Sequence, residues 1–296
     1  MQLLTRWVNR WIVSGVMFLS PALFAGTPAI EVKNAGFATP ESMEYVAGQD
    51  VYLVANINGS PFAKDDNGFI SKVSPEGKVL DLKWIDGASN QIRLNAPKGM
   101  VATEEFLFVA DIDRVHQFDI ETGQQIASMV FSGVNFLNGL ALAEEGGLYV
   151  TDSGVAPGFK PAGTDAVYHL TFDGKITPIY QDSEMGVPNG VVSDGGGLVV
   201  VTIFSGEAFR LDVHGERTDL PKPPHNRIDG LLNMGEGRFI VSSWTGEAIY
   251  EIDAGQGTVT ELFGGLTSPA DLGLDTKRNR LLIPLFKKDA LVIQPL

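Results

Sequence analysis

From Pro40 onward the apolar residues fall in short runs of four to seven, separated by Gly, Pro, Asn and Asp, with no stretch that keeps a 3.6-residue period long enough for an amphipathic helix. The runs repeat. A loop delivers a first strand in "PESMEYV", "PKGMVAT", "LNGLALA", "PNGVVSD", "IDGLLNM" and "PADLGLD". A second, almost wholly apolar strand follows: "VYLVANI", "FLFVADI", "GLYVTDS", "LVVVTIF", "RFIVSSW" and "RLLIPLF". A third usually ends in a turn with Gly, as in "AVYHLTFDG" and "EAFRLDVHG", and most units close with a fourth such as "KVLDLKWI" or "TVTELFGG". Four short strands per unit, repeated six times, predict an all-β fold, a six-bladed β-propeller with four-stranded blades. The sixth unit runs out at Leu296 after three strands. Ile30 to Lys33 is therefore expected to supply its fourth strand and close the ring, which removes an exposed edge.

One dipeptide decides how the repeat is read further. Asn-Gly between β-branched residues is a strong hairpin signal, so "VPNGVVSDGGGLVVV" at 187–201 reads locally as a turn. Yet "FLNGLALAEEGGLYV" stands 51 residues earlier and "RIDGLLNMGEGRFIV" 40 residues later, with the polar residue in the same place. Aligning the six first strands puts Glu41, Lys98, Asn138, Asn189, Asp229 and Ala270 in one column. First strands line the channel of a propeller, so equivalent positions at their entry form a ring of side chains around the axis.

Two carboxylates and two amides aimed into one partly buried volume repel or go unsatisfied unless something compensates them. A divalent cation does so, and oxygen ligands without Cys or His suit calcium better than zinc. Glu41, Asn138, Asn189 and Asp229 are the candidate metal ligands. Lys98 falls in the same column. Its ammonium either pairs with Glu41 or Asp229 in place of the ion, or points up to hold a substrate anion.

Other candidates surround the ring. His225, four residues before Asp229, reads as a proton shuttle or substrate contact, or as a solvated loop histidine, and Arg227 as an anion contact. His116, His169 and His214 read as structural. Asp111, Asp113 and Asp152 close second strands on the same rim, as turn residues or as holders of a water or second ion. The loops 58–68 and 153–165 are long enough to form a lid, where Phe62 and Phe159 either wall an apolar substrate or pack the loops down.

The quoted first strands resemble the senescence marker protein/gluconolactonase (regucalcin-like) propellers, with diisopropylfluorophosphatase as a related branch, over roughly residues 36–296. The resemblance implies a catalytic divalent metal, most often calcium with zinc, manganese or magnesium as substitutes, held by a first-blade Glu, third- and fourth-blade Asn and a fifth-blade Asp. Those positions are Glu41, Asn138, Asn189 and Asp229. It also implies that Asp229 is the general base or nucleophile, while the metal polarises a lactone or ester carbonyl. Sugar lactonases of this kind carry Arg two residues before the third-blade Asn and Asp directly after it. Here those positions are Phe136 and Gly139, which points to a less polar substrate.

Composition narrows the setting. Arg6 and Arg10 precede an apolar run to Leu19, and "SPALFA" supplies small residues before Gly26, so residues 1–25 read as a secretory signal and 26–296 as a single domain, exported to the periplasm or beyond. Pro21 breaks the run short of a comfortable membrane span, so no membrane association is expected after cleavage, an uncleaved anchor being the alternative. Without the signal the chain has 20 basic against 36 acidic residues, a net charge of −16 that repels phosphate backbones and argues against nucleic acid. With no cysteine, thiolate chemistry and disulfides are excluded. No phosphate loop, His-Glu-x-x-His or Gly-x-Ser-x-Gly motif is present. The expected activity is metal-dependent hydrolysis of a small-molecule lactone or related ester, with phosphotriester hydrolysis at the same site as a variant. The alternative is a non-catalytic propeller that binds a ligand or protein through its top face. Nothing in the pattern sets the oligomeric state.

Overall fold

The structure is a computed structural model that describes residues 28–89, 91–212 and 214–296. Six four-stranded antiparallel sheets follow one another along the chain. Blade 1 comprises Pro40–Val46, Val51–Asn56, Phe69–Val73 and Val79–Asp86, and blade 2 Met100–Ala102, Phe106–Asp111, Arg114–Asp119 and Gln125–Val130. Blade 3 comprises Leu137–Leu142, Leu148–Asp152, Ala166–Leu170 and Ile176–Gln181, and blade 4 Pro188–Ser193, Gly197–Thr202, Ala208–Asp212 and Arg217–Asp219. Blade 5 comprises Ile228–Gly235, Arg238–Ser243, Ala248–Asp253 and Thr258–Phe263. Blade 6 is built from Gly273–Asp275, Arg280–Leu285 and Ala290–Pro295.

The fourth strand of blade 6 is Ile30–Val32, paired with the third in the register Ile30 to Ile293, Glu31 to Val292 and Val32 to Leu291. The ring thus closes as the strand count requires. Side chains reinforce the seam, where the Tyr52 hydroxyl donates to Asp275 at 2.6 Å and Arg278 bridges Asp50 and Asp275. Residues 1–25, the expected signal, lie outside the described residues.

Burial explains the sequence pattern. Second strands lie between neighbouring blades and have both faces covered, so Val51–Asn56 and Gly197–Thr202 are buried at every position. Outermost strands face water on one side, and Gln125–Val130 alternates in exposure accordingly. The core is a set of wedges between successive blades. Leu53, Ile70, Ile85, Leu107, Val109 and Phe118 fill the space between blades 1 and 2, and Tyr52, Val54, Leu282, Leu291 and Ile293 that between blades 6 and 1.

Candidate active site

The inner strands are not regular where the polar column crosses them. Register shifts fall between Pro40 and Ser42, Leu137 and Leu140, Pro188 and Val191, and Ile228 and Leu231, which brackets Glu41, Asn138, Asn189 and Asp229. A bulge re-aims the side chain it carries, so the four oxygen-bearing residues leave the ordinary in-and-out alternation together. Two residues upstream of Glu41, Asn189, Asp229 and the column residue Ala270, Thr39, Val187, Arg227 and Ser268 hold φ between 52° and 68°. For the β-branched Thr39 and Val187 this is a strained conformation, of the kind that gathers at functional sites.

In blades 1 to 3 the last residue of the second strand fixes the entry loop. Asn56 accepts from Ala38 N at 3.1 Å, Asp111 from Asn95 N and Ala96 N, and Asp152 from Phe136 N at 2.9 Å. Asp111 and Asp152 are therefore structural, the turn-residue reading of the two given above. Burial pushes the Asp111 carboxyl up, but the His116 hydrogen bond, the Lys98 charge and the Ala96 and Asn95 amides together hold it below the usual carboxylate range. His116 is buried between Asp111 and the Ser128 hydroxyl, 2.7 Å away, as a structural histidine.

The glycine that follows the column residue has a different origin from a turn. Gly99, Gly139, Gly190 and Gly230 are absent from the positive-φ positions. A Cβ on Gly139 would stand 2.3 Å from the Asn189 carbonyl oxygen, one on Gly190 2.6 Å from that of Asp229, and one on Gly99 2.6 Å from that of Asn138. The inner strands of adjacent blades approach too closely for any side chain. Hydrogen bonds stitch the same contacts: Gly99 N donates to Asn138 O at 3.1 Å and Asp271 N to Glu41 O at 2.9 Å. Between blades 3 and 4 the Thr151 hydroxyl relays, accepting from Gly139 N and donating to Asn189 O, and Ser242 does so between blades 5 and 6.

Within this frame Glu41, Lys98, Asn138, Asn189 and Asp229 come together, each between 1% and 5% exposed. Asn189 Nδ2 donates to Asp229 Oδ1 at 3.1 Å, and Asn138 Nδ2 to the Ser153 hydroxyl at 3.1 Å. No described residue donates to either amide oxygen, and Glu41 Oε2 is buried with no partner. Burial raises the Glu41 pKa well above its ordinary value, helped by Asp229 and Asp271 and opposed by Lys98. Asp229 is raised in the same way, by burial and then Asp271, against the opposing effect of Trp244 and Asn189.

The ion pair considered for Lys98 is not formed. Its ammonium forms no ion pair with Glu41 or Asp229; it donates to Ala96 O at 2.9 Å and sits 4.3 Å from the centre of the Phe136 ring. Burial lowers its pKa, with Asp111 and Glu41 acting the other way. The physical reason is the bound: a fully enclosed ammonium takes the carbonyl and aromatic face beside it, and the carboxylates act on it at longer range.

Two carboxylates lower in the channel carried no signal strong enough to be singled out in the sequence. Glu44 and Asp271 line a cavity of about 200 Å³ whose other walls include Met43, Leu140, Val191 and Leu272. Burial lifts Glu44 to about 8, against the Ala102 amide, and Asp271 to about 7. Below about pH 7 both hold a proton in the folded chain that the unfolded chain would release above its ordinary carboxylate pKa. Their contribution to stability is therefore full at low pH and is lost as pH rises through 7 and 8. We expect metal-free protein to melt several degrees lower at pH 8 than at pH 5.5, and Glu44→Gln to flatten that slope. A slope unchanged in the variant would remove Glu44 from the account; the readout is Tm by calorimetry in chelator.

The remaining candidates spread out. His225 is exposed and its ring faces Tyr250 of a third strand, centroids 6.3 Å apart. Arg227 is exposed too, while its backbone clips Ile203 N-terminally and Trp244 beyond: its amide donates to Ile203 O and its carbonyl accepts from Trp244 N. His169 binds Gly146 O, His214 lies in an exposed turn, and Asp113 pairs with Arg114 and with Lys64 of the 58–68 loop. In the 153–165 loop Val155–Ala156 pairs with Lys160–Pro161 as a small ribbon. Phe62 meets Phe136 at 4.9 Å and Phe159 at 5.1 Å, which joins both loops over the Lys98 side of the ring. Trp244 was missed by sequence reasoning. It follows a second strand, its Nε1 is buried without a partner, and it lies close enough to Asp229 to draw that pKa down without completing a hydrogen bond.

No family model and no curated protein matches this sequence. Solved structures match by fold. A gluconolactonase from Xanthomonas campestris aligns with a TM-score of 0.69 at 19% identity, over 90% of this chain and 90% of that one. A virginiamycin B lyase from Staphylococcus aureus aligns with 0.64 at 13% identity, over 91% and 99%. A chain of a nidogen/laminin complex aligns with 0.61 at 17% identity, over 76% and 80%. The propeller is thus shared with gluconolactonase structures, as the resemblance implied, and with proteins of other kinds.

Proposed function

We propose that this protein is an exported, metal-dependent hydrolase that opens a lactone or related ester at a divalent cation held in the central channel. The observation that carries the proposal is the unused oxygen set: Glu41 Oε2 and the amide oxygens of Asn138 and Asn189 lack donors, beside a second buried carboxylate, Asp229. That set fits a hard cation, calcium first, since it offers oxygen alone and two negative charges that burial makes costly. Glu41, Asn138, Asn189 and Asp229 would hold the ion. When bound it supplies Lewis-acid polarisation of the carbonyl.

The chain's own residues do the rest. Asp229, with a raised pKa and a fixed Asn189 partner, takes the proton from the attacking water. The Asn189 amide holds its carboxylate in one orientation. Lys98, with one acceptor for three N–H groups, offers spare donors to a developing or bound anion. The enclosure of the floor excludes bulk water, which strengthens each of these interactions. Export rests on the basic, apolar and small-residue succession of residues 1–25.

Stripping the purified protein with chelator is expected to abolish lactone turnover, and calcium to restore it. Calcium at 100 times its Kd should also stabilise the fold by about 2.7 kcal/mol. Turnover indifferent to chelator would defeat the proposal. One observation favours a second reading: the buried Lys98 brings a positive charge of its own to the ring. If elemental analysis finds no ion, the ring is a structural plug, and the top face binds a ligand or protein without catalysis.

A further inference from the structure

A second column of the repeat rings the first. The residues directly after the second strands are Ile57, Ile112, Ser153, Ile203, Trp244 and Phe286. Five of six are apolar, at strand ends where the chain turns toward water and polar residues are usual. They stand at the same end of the blades as the polar ring. Ile57, Ser153, Ile203, Trp244 and Phe286 each donate a backbone N–H to the residue two places before a ring position, namely Thr39, Phe136, Val187, Arg227 and Ser268.

Their side chains form a collar. Ile57, Ile112 and Phe286 pack together with Ala96, and Ile203 packs with Phe136, Val155, Val187 and Phe62. The Trp244 ring meets Phe286 at 4.7 Å between centroids. One polar atom in this wall stands apart: the Trp244 indole N–H, buried beside the Asp229 carboxylate without a completed hydrogen bond.

Resting on the hydrolase reading for its location, we propose that the site takes a lactone or ester with a hydrocarbon substituent. The substituent seats in the apolar collar, and the Trp244 N–H donates to the one acceptor oxygen that remains there. A polyhydroxylated ring would bring several hydroxyls into a wall with a single donor, and each one left unpaired lowers affinity about tenfold or more. Each buried methylene instead raises it roughly fourfold.

The test is a series of δ-lactones with 5-alkyl chains of increasing length, set against glucono-δ-lactone, on calcium-loaded full-length protein. The expected result is a kcat/KM that rises roughly three- to fourfold per methylene over the first few carbons, with the sugar lactone at least 100-fold poorer. Ile203→Asn should flatten the chain-length dependence with calcium content unchanged. Preference for the sugar lactone, or a flat series in the native protein, would overturn the collar while leaving the hydrolase intact. If no lactone is turned over, the hydrolase reading falls, and the collar is read by binding alone. Non-hydrolysable 4-alkylcyclohexanones should then change tryptophan fluorescence in the native protein but not in Trp244→Phe, increasingly with chain length; no change in the native protein overturns it.

Discussion

Asp229→Asn is expected to lower kcat/KM for a turned-over lactone by about 10²- to 10⁴-fold, the range spanned by loss of a general base, with the fold intact. The substitution keeps the shape and the contact with Asn189, 3.1 Å away, and removes only the charge. Charge is what the site stores at a cost: burial and the Asp271 field raise the Asp229 pKa well above its ordinary value. A group so raised weakens the folded state as pH climbs through its folded pKa, so the metal-free variant should melt no lower than the metal-free native protein at pH 8, and higher if anything. Calcium affinity should fall, because one of two carboxylates is gone. Loss of activity with retained or increased Tm is therefore the signature. Turnover within tenfold of native would move the proton transfer elsewhere, with His225 the next residue to replace.

The second large effect lies one residue past the ring. Gly139→Ala puts a methyl group 2.3 Å from the Asn189 carbonyl oxygen and 3.2 Å from Gly190 Cα. Both obstacles are backbone, so no rotamer change relieves the clash, and blades 3 and 4 must part at the axis. Overpacking of this sort costs about 1–3 kcal/mol, a fall of roughly 3–10 °C in Tm for a chain of this size. The same movement separates Asn138 from Asn189, and calcium should bind more weakly even though no proposed ligand is altered. Gly48→Ala is the control: its φ is not positive, nothing lies within 4 Å of the added Cβ, and its effect should stay within about 0.5 kcal/mol. If both variants melt alike, the inner strands do not touch as described.

The two substitutions separate what was readable along the chain from what was not. Local periodicity and turn chemistry determined the blade count, the four-strand order within each blade and the pairing of Ile30–Val32 with the last blade, because alternation, apolar runs and Gly-rich turns act over a few residues. Repetition extended this to one nonlocal placement, Glu41, Lys98, Asn138, Asn189 and Asp229 at equivalent buried entry positions of adjacent inner strands, since equivalent positions in a closed ring face a common axis. The packing of one blade against the next decided the remainder. It made the Asn-Gly pair a bulge with a close carbonyl contact rather than a hairpin turn. It turned Lys98 onto Ala96 and Phe136, brought Asp271 and Glu44 into the lower channel, and left the Trp244 N–H without a partner. These arrangements depend on how closely neighbouring inner strands approach one another, which no period in the sequence records and only the closed ring sets.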